Sequence, residues 1–182
     1  MARIILITGG CRSGKSRYAE ELAESFGSSL IYVATCPVVD EEMRQRIARH
    51  QAARKEAGWR TIEETTDLAR VLGENTGRET LLVDCLTLWV NNILYHTETQ
   101  AMDEKRIEEK CRILLDLCRL RPGAVIFVTN EVGLGIVPEN ALARLYRDLM
   151  GRCNQVIAAG ADVVTLVTCG IPLQLKGSPH SS

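Results

Sequence analysis

Residues Gly9-Gly10-Cys11-Arg12-Ser13-Gly14-Lys15-Ser16 fit the spacing G-x-x-x-x-G-K-[ST]. Glycines at those places let the backbone turn tightly enough for successive N–H groups to converge on a phosphate. The partial positive charge at the start of a following helix adds to the attraction. In such a loop Lys15 reaches the β- and γ-phosphates of a nucleotide, and the Ser16 hydroxyl supports Mg2+. A glycine-rich strand-to-helix turn with no ligand is the alternative.

Two further segments carry groups suited to the same chemistry. Leu81-Leu82-Val83-Asp84 is an apolar run ending in a carboxylate, the form of a Walker B element whose Asp84 supports the metal or its waters. Apolar strands also end in Asp simply because a turn follows. Thr129-Asn130-Glu131 close another apolar run, and ligands of open α/β sheets sit beyond the carboxyl ends of the strands. They are site residues by position, or the polar start of a loop. No N-K-x-D tetrapeptide occurs, which argues against a Ras-type switch GTPase.

The elements that must position these groups follow from the apolar pattern. Residues 4–8, 30–34, 81–84, 125–129 and 163–167 are apolar at nearly every position, as buried strands of a sheet covered on both faces require. Helical periodicity lies between them. Tyr18, Ala19, Leu22, Ala23 and Phe26 form a stripe ended by Gly27, and a third helix is expected over residues 102–120. The last helix has Pro138 near its first turn, a stripe from Leu142 to Ile157, and Gly160 at its end. A second helix is expected from Asp40, with Met43, Ile47 and His50 on one face. His50 there is either a satisfied core histidine or a catalytic imidazole aimed into a nucleotide site. The pattern is α/β with a mainly parallel sheet flanked by helices. Residues 1–176 read as one nucleotide-binding domain, and 177–182 as a small, polar, frayed tail.

Composition narrows the function classes. The 182 residues are 46% hydrophobic and 25% charged, with 22 Lys plus Arg against 23 Asp plus Glu, so neither disorder nor generic nucleic-acid binding is indicated. Arg44, Arg46, Arg49, Arg54, Lys55 and Arg60 cluster locally, as a solvated helix face would. No apolar run approaches the ~18–20 residues of a membrane span, and no signal-peptide pattern opens the chain; a cytoplasmic protein is expected. The seven cysteines include no C-x-x-C pair, so neither a zinc site nor a disulfide framework is suggested.

Taken in order, several segments resemble one family, the bifunctional adenosylcobinamide kinase / adenosylcobinamide-phosphate guanylyltransferases of cobalamin biosynthesis. The resemblance rests on the phosphate loop from Thr8 to Ser16, Tyr32-Val33-Ala34-Thr35, Asp40-Glu41-Glu42-Met43 with Arg46-Ile47 and His50, and Trp59-Arg60-Thr61-Ile62-Glu63. It continues through Asp84-Cys85-Leu86-Thr87-Leu88-Trp89-Val90, Thr129-Asn130-Glu131-Val132-Gly133, Gly151-Arg152-Cys153-Asn154-Gln155 and Gly170-Ile171-Pro172-Leu173. It implies a RecA-like P-loop fold, a homotrimer, and two reactions. ATP or GTP phosphorylates adenosylcobinamide; then GTP guanylylates His50, and the GMP passes to adenosylcobinamide phosphate. Beyond the loop residues Gly9 to Ser16, the implied nucleotide contacts are Ala34, Thr35, Cys36, Arg54, Glu63 and Asp84. The implied metal-supporting residues are Ser16 and Asp84, and the catalytic ones Lys15 and His50. The chain departs from many relatives in reading Arg54-Lys55-Glu56 where they have Arg-Pro, with one extra residue between His50 and Trp59. Without the resemblance, a simple small-molecule kinase and a nucleotide-binding regulatory module both stay open.

Overall fold

The computed structural model describes residues 1–37, 48, 52, 54, 56–96 and 102–179. Strand β1 (Arg3–Thr8) leads through the phosphate loop into α1 (Lys15–Ser25), then β2 (Leu30–Ala34). The helix expected from Asp40, and His50 with it, fall outside the described residues; Ala48, Ala52, Arg54 and Glu56 are helical. Next come β3 (Trp59–Glu63), α2 (Leu68–Glu74), β4 (Thr80–Asp84), α3 (Leu86–His96), α4 (Glu104–Leu120) and β5 (Ala124–Val128). A short 3-10 turn (Val132–Leu134), α5 (Ala141–Gly160), β6 (Val163–Thr168) and β7 (Ile171–Lys176) complete the order.

The strands form one sheet in the order β3-β2-β4-β5-β1-β6-β7. All neighbours are parallel except β6 and β7, an antiparallel pair. Because alternate residues point to opposite faces, the continuous apolar runs divide between two cores. Ile5, Ile7, Leu82, Ile126 and Val128 pack beneath α1 with Ala19 and Leu22. Ile4, Leu6, Leu81, Val83, Val125 and Phe127 pack against helices on the other face, among them α3, α4 and α5 through Trp89, Leu114 and Leu149. Parallel strands send all their carboxyl ends to one edge, so the phosphate loop, Ala34, Glu63, Asp84 and the segment after β5 emerge together.

The opposite edge is pinned by Arg121, whose residue is 1% exposed. Its Nε donates to Asn75 O, Nη1 to Ala124 O, and Nη2 to both Gly77 O and Glu79 O, at 2.9–3.2 Å. Burial lowers its pKa from the usual arginine value.

Several sequence expectations need correction. Strands β3 and β7 and helices α2 and α3 were not among the expected elements. Pro138 stands before α5, which starts at Ala141 behind the capping Asn140, whose Oδ1 accepts from Ala143 N–H at 3.1 Å. Within residues 177–179, Pro179 is buried and the Ser178 carbonyl accepts a hydrogen bond from Arg3. Gly177 takes φ 61°, and a Cβ there would lie 2.2 Å from Asp162 O, so glycine is required at that turn.

Candidate active site

The phosphate loop is built as the spacing predicts, at the carboxyl end of β1. A Cβ on Gly9 would meet Val167 O at 2.3 Å and Ser13 Oγ at 2.7 Å, leaving no room for any side chain. Gly14 caps α1 in the left-handed conformation, φ 94°, with no side-chain cap and no acidic residue in the first turn. The orphan N–H groups of that turn are therefore left for an anion. Gly10, Cys11 and Arg12 are exposed, and Arg12 takes φ 56° to shape the crest of the loop. Lys15 is buried, its ammonium resting on Gly10 O at 3.1 Å. Ser13 is buried too, and its Oγ has no hydrogen-bond partner among the described residues. The Ser13 carbonyl accepts from Gly170 N–H at 2.8 Å, so the β6–β7 turn backs the loop.

Asp84 ends β4, one strand removed from β1, in a rung with Ala34 and Glu63 at the ends of β2 and β3. Tyr32 donates its hydroxyl to Asp84 Oδ2 at 2.8 Å. Tyr32 is 7% exposed, and burial, then the Asp84 carboxylate, push its pKa far above the usual phenol value, so it stays a donor. The Arg54 guanidinium lies over the Tyr32 ring, 3.7 Å from its centroid, with Glu20 at 3.9 Å as its ion partner. Trp59 meets the same ring edge-on, centroids 6.1 Å apart, and is held by Glu24 at 3.2 Å. Burial raises the Glu20 pKa; Arg54 opposes the shift while Asp84 and Glu24 add to it.

Thr35 is fully buried. Its hydroxyl donates to Cys85 O at 2.8 Å and accepts from Cys85 N–H at 2.7 Å, and its carbonyl receives Asn92 at 2.8 Å. Its side chain therefore clasps the backbone that presents Asp84. Cys36 is half-buried at the start of the loop that follows. On the other side of β4, Asn130 accepts positioning from Thr87: its N–H and Nδ2 both donate to Thr87 Oγ1, at 2.9 and 3.2 Å. Thr8 donates to Glu131 Oε1 at 2.6 Å, and Glu131 N–H reaches Gly9 O at 3.3 Å, which joins the end of β5 to the phosphate loop.

Of the residues expected at the site, the loop, Ala34, Thr35, Cys36, Arg54, Glu63 and Asp84 share the carboxyl edge of the sheet. Tyr32 and Asn154 were not singled out as site residues. Tyr32 acts through a partner 52 positions away, and Asn154 through Glu131, 23 positions away, so only the sheet order exposes either. A cavity of about 600 Å³ lies elsewhere, between α4 and α5 beside Glu108, Arg112 and Arg152, and none of the expected site residues lines it.

A phosphate loop after β1, a carboxylate-ended β4 and β5 inserted between them define a RecA-like P-loop nucleotide-binding fold. A solved structure of the RadB recombinase is similar at TM-score 0.50 and 14% identity, covering 90% of this chain and 73% of that one. Residues 5–175 match the family model described as cobinamide kinase / cobinamide phosphate guanyltransferase. The chain is 46% identical over 175 residues to the bifunctional adenosylcobalamin biosynthesis protein CobP of Pseudomonas aeruginosa, covering 96% of this chain and 98% of that protein. It is 42% identical over 183 residues to the corresponding CobU protein of Escherichia coli, covering 95% and 99%. The Salmonella typhimurium CobU protein is 41% identical over 182 residues, covering 95% and 99%. The chain belongs to this cobinamide kinase / cobinamide phosphate guanylyltransferase family and is a bifunctional enzyme of cobalamin biosynthesis.

Proposed function

We propose that the enzyme phosphorylates the aminopropanol hydroxyl of adenosylcobinamide with ATP or GTP, then carries GMP from GTP through His50 to adenosylcobinamide phosphate. The product is adenosylcobinamide-GDP. The reading is carried by the 46% identity to a bifunctional relative over 96% of the chain, which includes the phosphate loop and the segment holding His50.

In the kinase step the loop N–H groups from Gly9 to Ser16 cradle the phosphates, and Lys15 leaves Gly10 O to neutralise charge developing on the transferred group. The donor set fits Mg2+, which favours a few oxygen ligands alongside phosphate and water. Ser16 offers a half-buried hydroxyl, and Asp84 a carboxylate that Tyr32 holds by only one oxygen. When bound there, Mg2+ would offset the negative charge of the phosphates. Ala34, Cys36, Arg54 and Glu63 flank the nucleotide, and Thr35 fixes the Asp84 turn.

In the guanylyl step the neutral imidazole of His50 attacks the α-phosphorus of GTP. An N–P bond forms, the bond to pyrophosphate breaks, and the imidazole proton is released. A phosphate oxygen of the acceptor then displaces the histidine, dividing one difficult displacement into two. We further propose a homotrimer in the cytoplasm; sedimentation at working concentration checks the assembly, and a species of only 20.2 kDa would contradict it.

The decisive test incubates the protein with Mg2+ and GTP labelled at the α-phosphate, then denatures it. Acid-labile, base-stable label is expected on the chain, absent in His50→Ala and absent when the γ-phosphate carries the label. Retention of neither label by folded, GTP-binding protein would remove the covalent step and leave a simple kinase.

A further inference from the structure

Phosphoryl transfer to an alcohol needs more than a held nucleotide: some group must aim the acceptor hydroxyl and accept its proton. Thr129-Asn130-Glu131, placed at the site by strand position, have no task in the nucleotide chemistry above. Resting on the kinase half of the proposed function, we infer that Glu131 is a catalytic residue whose carboxylate orients the acceptor alcohol and takes its proton.

Position supports the assignment first. Glu131 N–H is bonded to Gly9 O at 3.3 Å, and the next carbonyl, Gly10 O, holds the Lys15 ammonium at 3.1 Å. The residue therefore stands beside the loop whose Lys15 is assigned to the terminal phosphates. It is also pre-set. Glu131 Oε1 accepts from Thr8 at 2.6 Å and from Asn154 Nδ2 at 3.3 Å. Asn154 is itself fixed by Thr129 at 2.7 Å and by the Asn130 carbonyl at 3.1 Å. Oε2 enters none of these bonds, and the residue is only half-buried, so one oxygen is held while the other is offered to a substrate.

Neighbouring acids are committed elsewhere. Asp84 is assigned to Mg2+ with one oxygen held by Tyr32, Glu20 pairs with Arg54, and Glu24 holds Trp59. Glu63 ends β3, four strands along the sheet from β1. Cys85, beside Asp84, is buried.

In the step, the acceptor oxygen bonds to the γ-phosphorus and the bond from that phosphorus to the β–γ bridging oxygen breaks. The electron pair leaves on the nucleoside diphosphate. The hydroxyl proton moves to Glu131 as the P–O bond forms and is later lost to solvent. Guanylyl transfer starts from an ionised phosphate, has no hydroxyl proton to remove, and so does not need this carboxylate.

That asymmetry is the test. Wild type and Glu131→Gln, which keeps an oxygen for Thr8, are compared in ATP-dependent phosphorylation of adenosylcobinamide and in GMP transfer to pre-formed adenosylcobinamide phosphate. Nucleotide Kd and melting temperature are measured alongside. A fall of roughly 10²-fold or more in kcat for phosphorylation is expected, with guanylyl transfer, Kd and melting unchanged. An unchanged phosphorylation rate, an equal fall in both reactions, or a loss that follows nucleotide affinity would overturn the inference while leaving the proposed function standing. Failure of wild type to phosphorylate adenosylcobinamide would instead overturn that function, and the inference with it. Should the Gln variant not fold, Thr8→Val removes one of the two donors that hold Oε1 but keeps the carboxylate. A loss confined to phosphorylation supports the assignment, and any other pattern overturns it.

Discussion

The two edges of the sheet treat buried polar groups in opposite ways. At the amino edge, Arg121 spends four N–H groups on four carbonyls, and Glu79 Oε2, which lacks a hydrogen bond, still lies 3.8 Å from the guanidinium. At the carboxyl edge, Ser13 Oγ, Asn130 Oδ1 and Arg54 Nε are buried with no hydrogen-bond partner among the described residues. Each such atom costs about 1–3 kcal/mol, a penalty folding tolerates where a ligand later supplies the missing partner. At one edge a single guanidinium serves four carbonyls and leaves only an ion-pair contact to Glu79; the other is arranged around a ligand.

If that contrast is right, changes at the two edges should separate stability from binding. Arg121→Met leaves four carbonyls without their donor and should lower stability by about 3–5 kcal/mol in urea titrations. Nucleotide affinity of the folded fraction should hardly move. Lys15→Ala should do the reverse, weakening nucleotide binding by roughly 10²-fold in calorimetry while shifting stability by less than about 1 kcal/mol, since it removes one ammonium–carbonyl bond. Large losses of both properties in both variants would break the comparison.

Glu64 sharpens it at intermediate size, being a carboxylate near the carboxyl edge that is fully used. Burial opposes its charge, but N–H bonds from Asp67 and Thr66 and the Arg70 guanidinium outweigh that, and its pKa is lowered to about 2. A depressed folded-state pKa gives stability that is present above the unfolded value, ~4.3, and lost as pH falls toward about 2. Glu64→Gln should therefore cost about 1–2 kcal/mol at neutral pH and flatten the acid limb of stability between pH ~4.5 and ~2. Acid melts of both proteins check this. Tyr32→Phe has the smallest expected effect: about 1 kcal/mol of stability, with a several-fold rise in the Mg2+ concentration needed for half-maximal nucleotide binding, because Asp84 loses the donor that aims it. Equilibrium binding at varied Mg2+ measures it.

The sequence carried the central strands well. Residues buried on both faces leave an uninterrupted apolar signal, and β1, β2, β4, β5 and β6 begin and end within a residue of expectation. Edge strands send a weaker signal. Strand β3 contains Arg60 and Glu63, and β7 contains Pro172 and is exposed at every position. Helix α3 buries Leu86, Trp89, Val90, Ile93 and Leu94 at helical spacing, but Leu88 and Tyr95 among its other positions blur the polar stripe that would set the period off. At the site, the phosphate loop was readable because its glycines answer to backbone geometry alone. Tyr32 was not, because its hydroxyl matters only once β2 and β4 lie side by side.

The bond from Gly170 N–H to Ser13 O joins the last hairpin to the first loop of the chain. Gly14 sits close behind, its would-be Cβ only 3.2 Å from Gly170 Cα. Phosphate that stiffens the loop must therefore quiet a turn near the opposite terminus, and the Gly170 amide should exchange its hydrogen more slowly once nucleotide is present. The β6–β7 turn thus works as a built-in gauge of whether the phosphate loop is occupied.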